Sequence, residues 1–128
     1  MKYKLVLFDL DGTLTDTLEA IAKSVNSAFE ELNLKIYSLT ECSRLIGNGI
    51  AGIVDKVFTM EKYDENTVSP EMMKEILRKH YRKHYNYNVK LYEGIANLLD
   101  FLEENDIKAG IVTNKDHELA LDTVKKNL

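Results

Sequence analysis

Residues 5–17, LVLFDLDGTLTDT, run from an apolar segment straight into Asp-Leu-Asp-Gly-Thr, and the reading of that junction decides the fold. The segment KLVLF (4–8) is a short unbroken apolar run, and IKAGIVTN (107–114) is a second; each suits a strand buried in a parallel sheet. Ligands of open parallel sheets gather at the carboxyl ends of the strands, where Asp9 and Asp11 fall. In extended chain, residues two apart share a side, so both carboxylates face one ligand while Leu10 turns away. Two carboxylates held together repel, and a divalent cation, most naturally magnesium (Mg2+), relieves the repulsion. Gly12 permits a sharp turn that brings backbone amides near an anion, and Thr13 adds a hydroxyl. These parts describe a nucleophilic carboxylate, an acid/base partner, a metal and an anion-accepting loop. The plainer alternative is an ordinary turn after a strand, because Asp, Gly and Thr all favour turns.

Between the two strands the chain reads as helix. Leu18, Ile21, Ala22, Val25, Ala28, Phe29 and Leu32 recur at steps of three and four, which places them on one face of a helix ending near Asn33. Ser38 and Glu41 have capping-box spacing and start a short helix that the glycine at 47 should stop. NGIAGIVDKVF (48–58) restarts as helix, and Ser69-Pro70-Glu71 opens another that runs to about Tyr85. GIANLLDFLEEND (94–106) and the segment from Asp116 to Asn127 complete the set. Residues 61–69, EKYDENTVS, form the expected exposed loop. The order predicts an α/β fold with a Rossmann-like parallel-sheet core, residues 1–16 and 88–128, interrupted by a helical block at 17–87.

Bulk properties narrow the function. A chain of 128 residues with 45% apolar content is sized for one core, and a net charge of −4 argues against a general nucleic-acid binder. The single cysteine, Cys42, excludes an internal disulfide and a Cys-rich zinc site, and suits a reducing compartment. The N-terminal apolar run is cut by Asp9 and Asp11, too short for a signal segment or a membrane span, so a cytoplasmic protein without membrane partners is expected. His80 and His84 lie one helical turn apart, but Arg82 and Lys83 between them would repel a cation, and a solvated helix face is the expectation. The tyrosine-rich, basic stretch at 74–90 could suggest RNA or an anionic substrate, but with the chain's overall acidity it is read as tyrosines packing the helical block with the charges in water.

FDLDGTLTDT closely resembles the first signature of the haloacid dehalogenase-like phosphohydrolases, and IVTNK (111–115) resembles their second. RLIGNGIAGIVDKVF (44–58) is similar to the cap segment of phosphoglycolate phosphatases, and residues 91–115 to their return into the core. The resemblance spans essentially the whole chain. It implies that Asp9 attacks phosphorus to form an aspartyl-phosphate and binds magnesium through its other oxygen. It implies that Asp11 protonates the leaving oxygen, then activates the hydrolytic water, with its backbone carbonyl on the metal. Because dehalogenases of this fold lack an acid at that second position, Asp11 points to phosphoryl transfer on a small phosphorylated metabolite. Thr113 and the amide near Asn114 would hold phosphoryl oxygens, although Thr113 alone could be a strand-to-helix cap. In the cap, Gly47, Asn48 and Gly49 would approach the substrate and Arg44 would pair with its carboxylate. A helix end with a restart, and a surface arginine, are their ordinary readings.

The resemblance also implies parts that are not recognisable here: a later charge-balancing lysine and a further strand ending in acidic residues. Lys115, Lys125, Lys126, Asp116 and Asp122 lie on or beside the last helix, away from the positions those parts should take. A truncated phosphatase is therefore expected, with two alternatives. One is a catalytically incompetent fragment or binding module of the same fold; the other is a sugar-phosphate phosphatase or phosphomutase.

Overall fold

The computed structural model describes residues 2–128. In chain order the elements are β1 (Leu5–Phe8), β2 (Thr15–Asp16), α1 (Leu18–Glu31), α2 (Leu39–Ser43), α3 (Gly49–Glu61), α4 (Pro70–His84), β3 (Lys90–Leu91), α5 (Ile95–Glu104), β4 (Lys108–Ile111) and α6 (His117–Asn127). They divide into two compact units, one built from the chain up to Thr17 together with Val89–Leu128, the other from Leu18–Asn88. The expectation of a single core is thereby corrected, since each unit buries its own apolar cluster.

In the first unit β1 and β4 pair in parallel, with Leu5 opposite Lys108 and Phe8 opposite Ile111. The bond from Val112 N–H to the Phe8 carbonyl, 2.8 Å, extends the ladder past the strand ends. One side packs: Phe8 joins Ile95 of α5 and Val124 of α6 around buried Leu10, Leu14 and Ala120. The other side does not, and Leu5 and Leu7 remain 53% and 60% exposed. The strands β2 and β3 form a second, antiparallel pair that sequence reasoning missed, because two residues carry no readable alternation.

The second unit is helical. The face predicted for α1 is buried, with Val25, Ala28 and Phe29 at 0% exposure, and it packs against α2 and α4. Asn26 ties the following segment back to α1 through two 2.8 Å bonds, accepting from the Tyr37 N–H and donating to its carbonyl. This seats the Tyr37 ring edge-on against Phe29, 5.7 Å between centroids. The Ser38–Glu41 capping box forms as predicted, but α2 stops at Ser43 with Arg44 as its cap, before Gly47. Ser69 caps α4, with Pro70 in its first turn. Cys42 is buried in this core, and burial pushes its thiol up to about 11, which keeps it protonated and inert. His80 does not lie on a merely solvated face: its Nε2 is 3.0 Å from Glu31 Oε1, and its ring stacks on His84.

Phe29→Ala should destabilise the second unit by about 3–5 kcal/mol, read as a lowered urea midpoint of the helical signal. Hydrogen bonds from Lys79, then His80, hold the Glu31 carboxyl below its usual range. A depressed carboxyl contributes stability above its unfolded-state pKa that is lost as pH falls through the folded value. Glu31→Gln should therefore flatten the acid limb of stability between about pH 5 and 3, measured by denaturation at stepped pH.

Candidate active site

The chain leaving β1 turns at once on itself. Leu10 is fully buried, and its carbonyl accepts from the N–H groups of Thr13, Leu14 and Thr15 at 3.0–3.2 Å. The hydroxyl of Thr15 adds a further bond to the same oxygen. Gly12 adopts φ +80°, and its N–H donates to the Thr15 carbonyl at 2.8 Å. The turn therefore needs its glycine, as the sequence suggested. The Gly12 and Thr13 N–H groups are engaged within the loop, donating to the Thr15 and Leu10 carbonyls. The hydroxyl of exposed Thr13 remains as a side-chain donor there.

With Leu10 anchored inward, Asp9 is exposed and Asp11 half-buried. Asp9 Oδ1 accepts from the Leu10 N–H at 2.8 Å. Parallel pairing sets the end of β4 beside the end of β1, which brings residues 112–115 next to the Asp9–Thr13 loop. Thr113 Oγ1 accepts from the Lys115 N–H at 3.1 Å and keeps its own O–H for donation; Asn114 is exposed.

Lys115 is the site residue that sequence reasoning set aside. Its side chain has no solvent exposure, and its Nζ lies 3.0 Å from Asp11 Oδ1. Its place two residues after Thr113, at the end of a strand, was the available signal, but adjacency to the last helix hid it. Of the other set-aside residues, Asp116 caps α6 by accepting from the Glu118 N–H, Asp122 pairs with Lys126, and Lys125 lies in the last turn of α6.

Among the described residues no three of His, Cys, Asp and Glu cluster in a way that could hold a metal ion. The available carboxylate donors are Asp9 and Asp11. Their hard oxygens fit magnesium, which commonly takes one or two protein carboxylates and fills its remaining positions with water and substrate phosphate.

The residues assigned to substrate selection lie in the second unit. Exposed Arg44 follows α2, Gly47 and Gly49 take φ +130° and +69°, and exposed Asn48 precedes α3. Lys56 Nζ donates to the Arg44 and Ile46 carbonyls at 3.2 and 3.3 Å and so holds this connection from the side of α3. A Cβ at position 52 would approach the Asn48 Cβ to 2.4 Å, so Gly52 admits the turn that starts α3.

The family model described as haloacid dehalogenase-like hydrolase matches residues 6–127. A phosphoglycolate phosphatase of Aquifex aeolicus is 33% identical over 117 residues, covering 91% of this chain and 52% of the relative. One of Haemophilus influenzae is 31% identical, covering 89% and 53%. The chain thus spans about half the length of the curated relatives it matches. A solved structure from Lactobacillus delbrueckii superposes with a TM-score of 0.89 at 23% identity, covering 100% of this chain and 62% of that one, which supports the fold. Another, described as a predicted phosphoglycolate phosphatase from Haemophilus somnus, gives a TM-score of 0.83 at 26% identity, covering 99% and 58%. No helix among the described residues is long and apolar enough to cross a membrane.

Space is open where a Cβ at position 12 would lie, so any cost of Gly12→Ala comes from its backbone angle. That substitution should lower the stability of the first unit by about 1–2 kcal/mol, with Gly12→Asn costing less, as measured by denaturant unfolding.

Proposed function

The chain belongs to the haloacid dehalogenase-like hydrolase family, and we propose from that membership that it carries the chemistry of a phosphatase acting on a small phosphomonoester, phosphoglycolate first. The observation that supports this reading most is the placement of the Asp9–Asp11 loop beside Thr113 by the β1–β4 pair. Asp9 Oδ1 is held by the Leu10 N–H, so Oδ2 is assigned as the nucleophile. It forms a bond to phosphorus as the ester P–O bond breaks, and the departing oxygen takes a proton from Asp11. Asp11 then takes a proton from the water that cleaves the aspartyl-phosphate, which regenerates the protonated Asp11 of the substrate complex; in the substrate-free chain Asp11 is the carboxylate paired with Lys115. The Thr113 and Thr13 hydroxyls donate to the phosphoryl oxygens.

Magnesium would be held by the Asp9 carboxylate and by Asp11, and would there supply positive charge against the phosphoryl group. The segment 17–87 is assigned the role of substrate-selecting cap, with Arg44 and Gly47–Gly49 as its recognition residues. A second reading, a module that binds without turnover, is favoured by one observation. Among the described residues the β1–β4 sheet has two strands and leaves Leu5 and Leu7 exposed, so no described element covers that side.

Phosphate release from phosphoglycolate and a panel of phosphomonoesters, with and without magnesium, tests the proposal. Asp9→Asn should reduce release by about a thousandfold or more, and Asp11→Asn by about 10²–10⁴-fold. A folded wild-type chain that releases no phosphate would favour the binding module. Release that survives Asp9→Asn would overturn the assigned nucleophile.

A further inference from the structure

A buried ammonium sits where the proposed reaction has not used one. Lys115 contributes a side chain with no solvent exposure, and its Nζ is 3.0 Å from Asp11 Oδ1, on a carboxylate group that is itself only 18% exposed. An ammonium taken out of water is retained when a carboxylate compensates its lost hydration. The backbone on either side is held in place. The Lys115 N–H donates to Thr113 Oγ1, and the next residue, Asp116, caps α6, so the lysine leaves a fixed turn between β4 and α6.

The charge arithmetic gives this contact its meaning. Asp9 and Asp11 alone would place two negative charges one residue apart; with Lys115 the group carries one. A divalent cation approaching these oxygens meets an ammonium already bonded to Asp11, and two cations sharing one small acidic group repel each other. We infer that Lys115 is an intramolecular counter-cation of the Asp9–Asp11 pair, which halves the negative charge of the site in the absence of metal and competes with a divalent cation for it. Lys115 is a positioning residue in this scheme: it acts through Asp11, and it sets how much free cation the site needs. The inference rests on the proposed reading that Asp9 and Asp11 accept such a cation.

Manganese serves as the probe, titrated into the full 128-residue chain by calorimetry, with unfolding temperatures recorded in chelator and in excess metal. Lys115→Met should bind manganese about tenfold more tightly than wild type, the equivalent of about one pK unit of relieved competition. Lys115→Arg, which keeps the charge, should stay near wild type, and adding Asp9→Asn to Lys115→Met should abolish the gain. In chelator Lys115→Met should unfold at a lower temperature than wild type, and the deficit should shrink in the Asp11→Asn background because the repulsion it exposes is gone. Lys115→Gln carries the same comparison if the methionine variant does not fold.

Equal or weaker manganese binding by the charge-removing variants would overturn the competition. So would an unfolding deficit that is the same with and without Asp11, which would make Lys115 a packing residue. If wild type binds manganese through Asp9 while Lys115→Met is unchanged, the cation reading stands and this inference alone falls. If no variant binds manganese, both fall on the cation, and the unfolding comparison still decides whether Lys115 is the counter-ion of Asp11.

Discussion

Parallel pairing of β1 with β4 is the constraint from which the rest of the first unit follows. Two parallel strands cannot be joined by a tight turn, and here the chain between them runs from Asp9 to Ile107 and includes the whole second unit. Pairing in that sense puts both carboxyl ends at one edge. Phe8 lies opposite Ile111, and the ladder continues through Val112, so the two segments that follow are neighbours although about a hundred residues separate them. An antiparallel pair would have sent them to opposite ends of the sheet.

Once those ends meet, Leu10 decides how the loop uses its polar groups. Its side chain is buried with Leu14 and Ala120, and its carbonyl collects three backbone N–H groups. The N–H groups of Gly12 to Thr15 therefore serve the turn, and the carboxylates on either side of Leu10 are left to face solvent and partners. Their mutual repulsion is a cost of this arrangement, and Lys115 offsets it from the neighbouring strand end. The loop and the residues after β4 are thus joined twice, by backbone pairing and by charge.

The second unit depends on a different balance. Phe29, Val54, Val57, Met73 and Leu77 fill a helical core, and the polar groups at its margins are matched in pairs, such as Asn26 with the Tyr37 backbone and Glu31 with Lys79 and His80. The Lys56 ammonium on the Arg44 and Ile46 carbonyls is a further case, since it satisfies acceptors at the open end of α2. The connection that carries Gly47 and Gly49 is held by such bonds, and its positive φ angles explain why glycine stands at both positions.

Much of this was legible in the sequence because it is local. The strand preceding Asp9, the buried face of α1, the Ser38 capping box and the Ser69-Pro70 start of α4 each depend on residues within a few positions of one another, and each formed where it was read. What depends on contacts across the chain was not legible. The strands β2 and β3 are two residues long and exist because their partners are brought together from 74 and 76 positions apart in register. The inward turn of the loop amides depends on where Leu10 is buried. Lys115 shows the division most sharply: in sequence it is a lysine beside a helix, and 104 positions separate it from Asp11. The sequence by itself determined the longer strand and helix segments and which residue types could carry chemistry, since propensity, period and side-chain type are local properties. Only the tertiary structure decided which charges meet and which donors are used, because those follow from the distance between side chains that folding alone brings together.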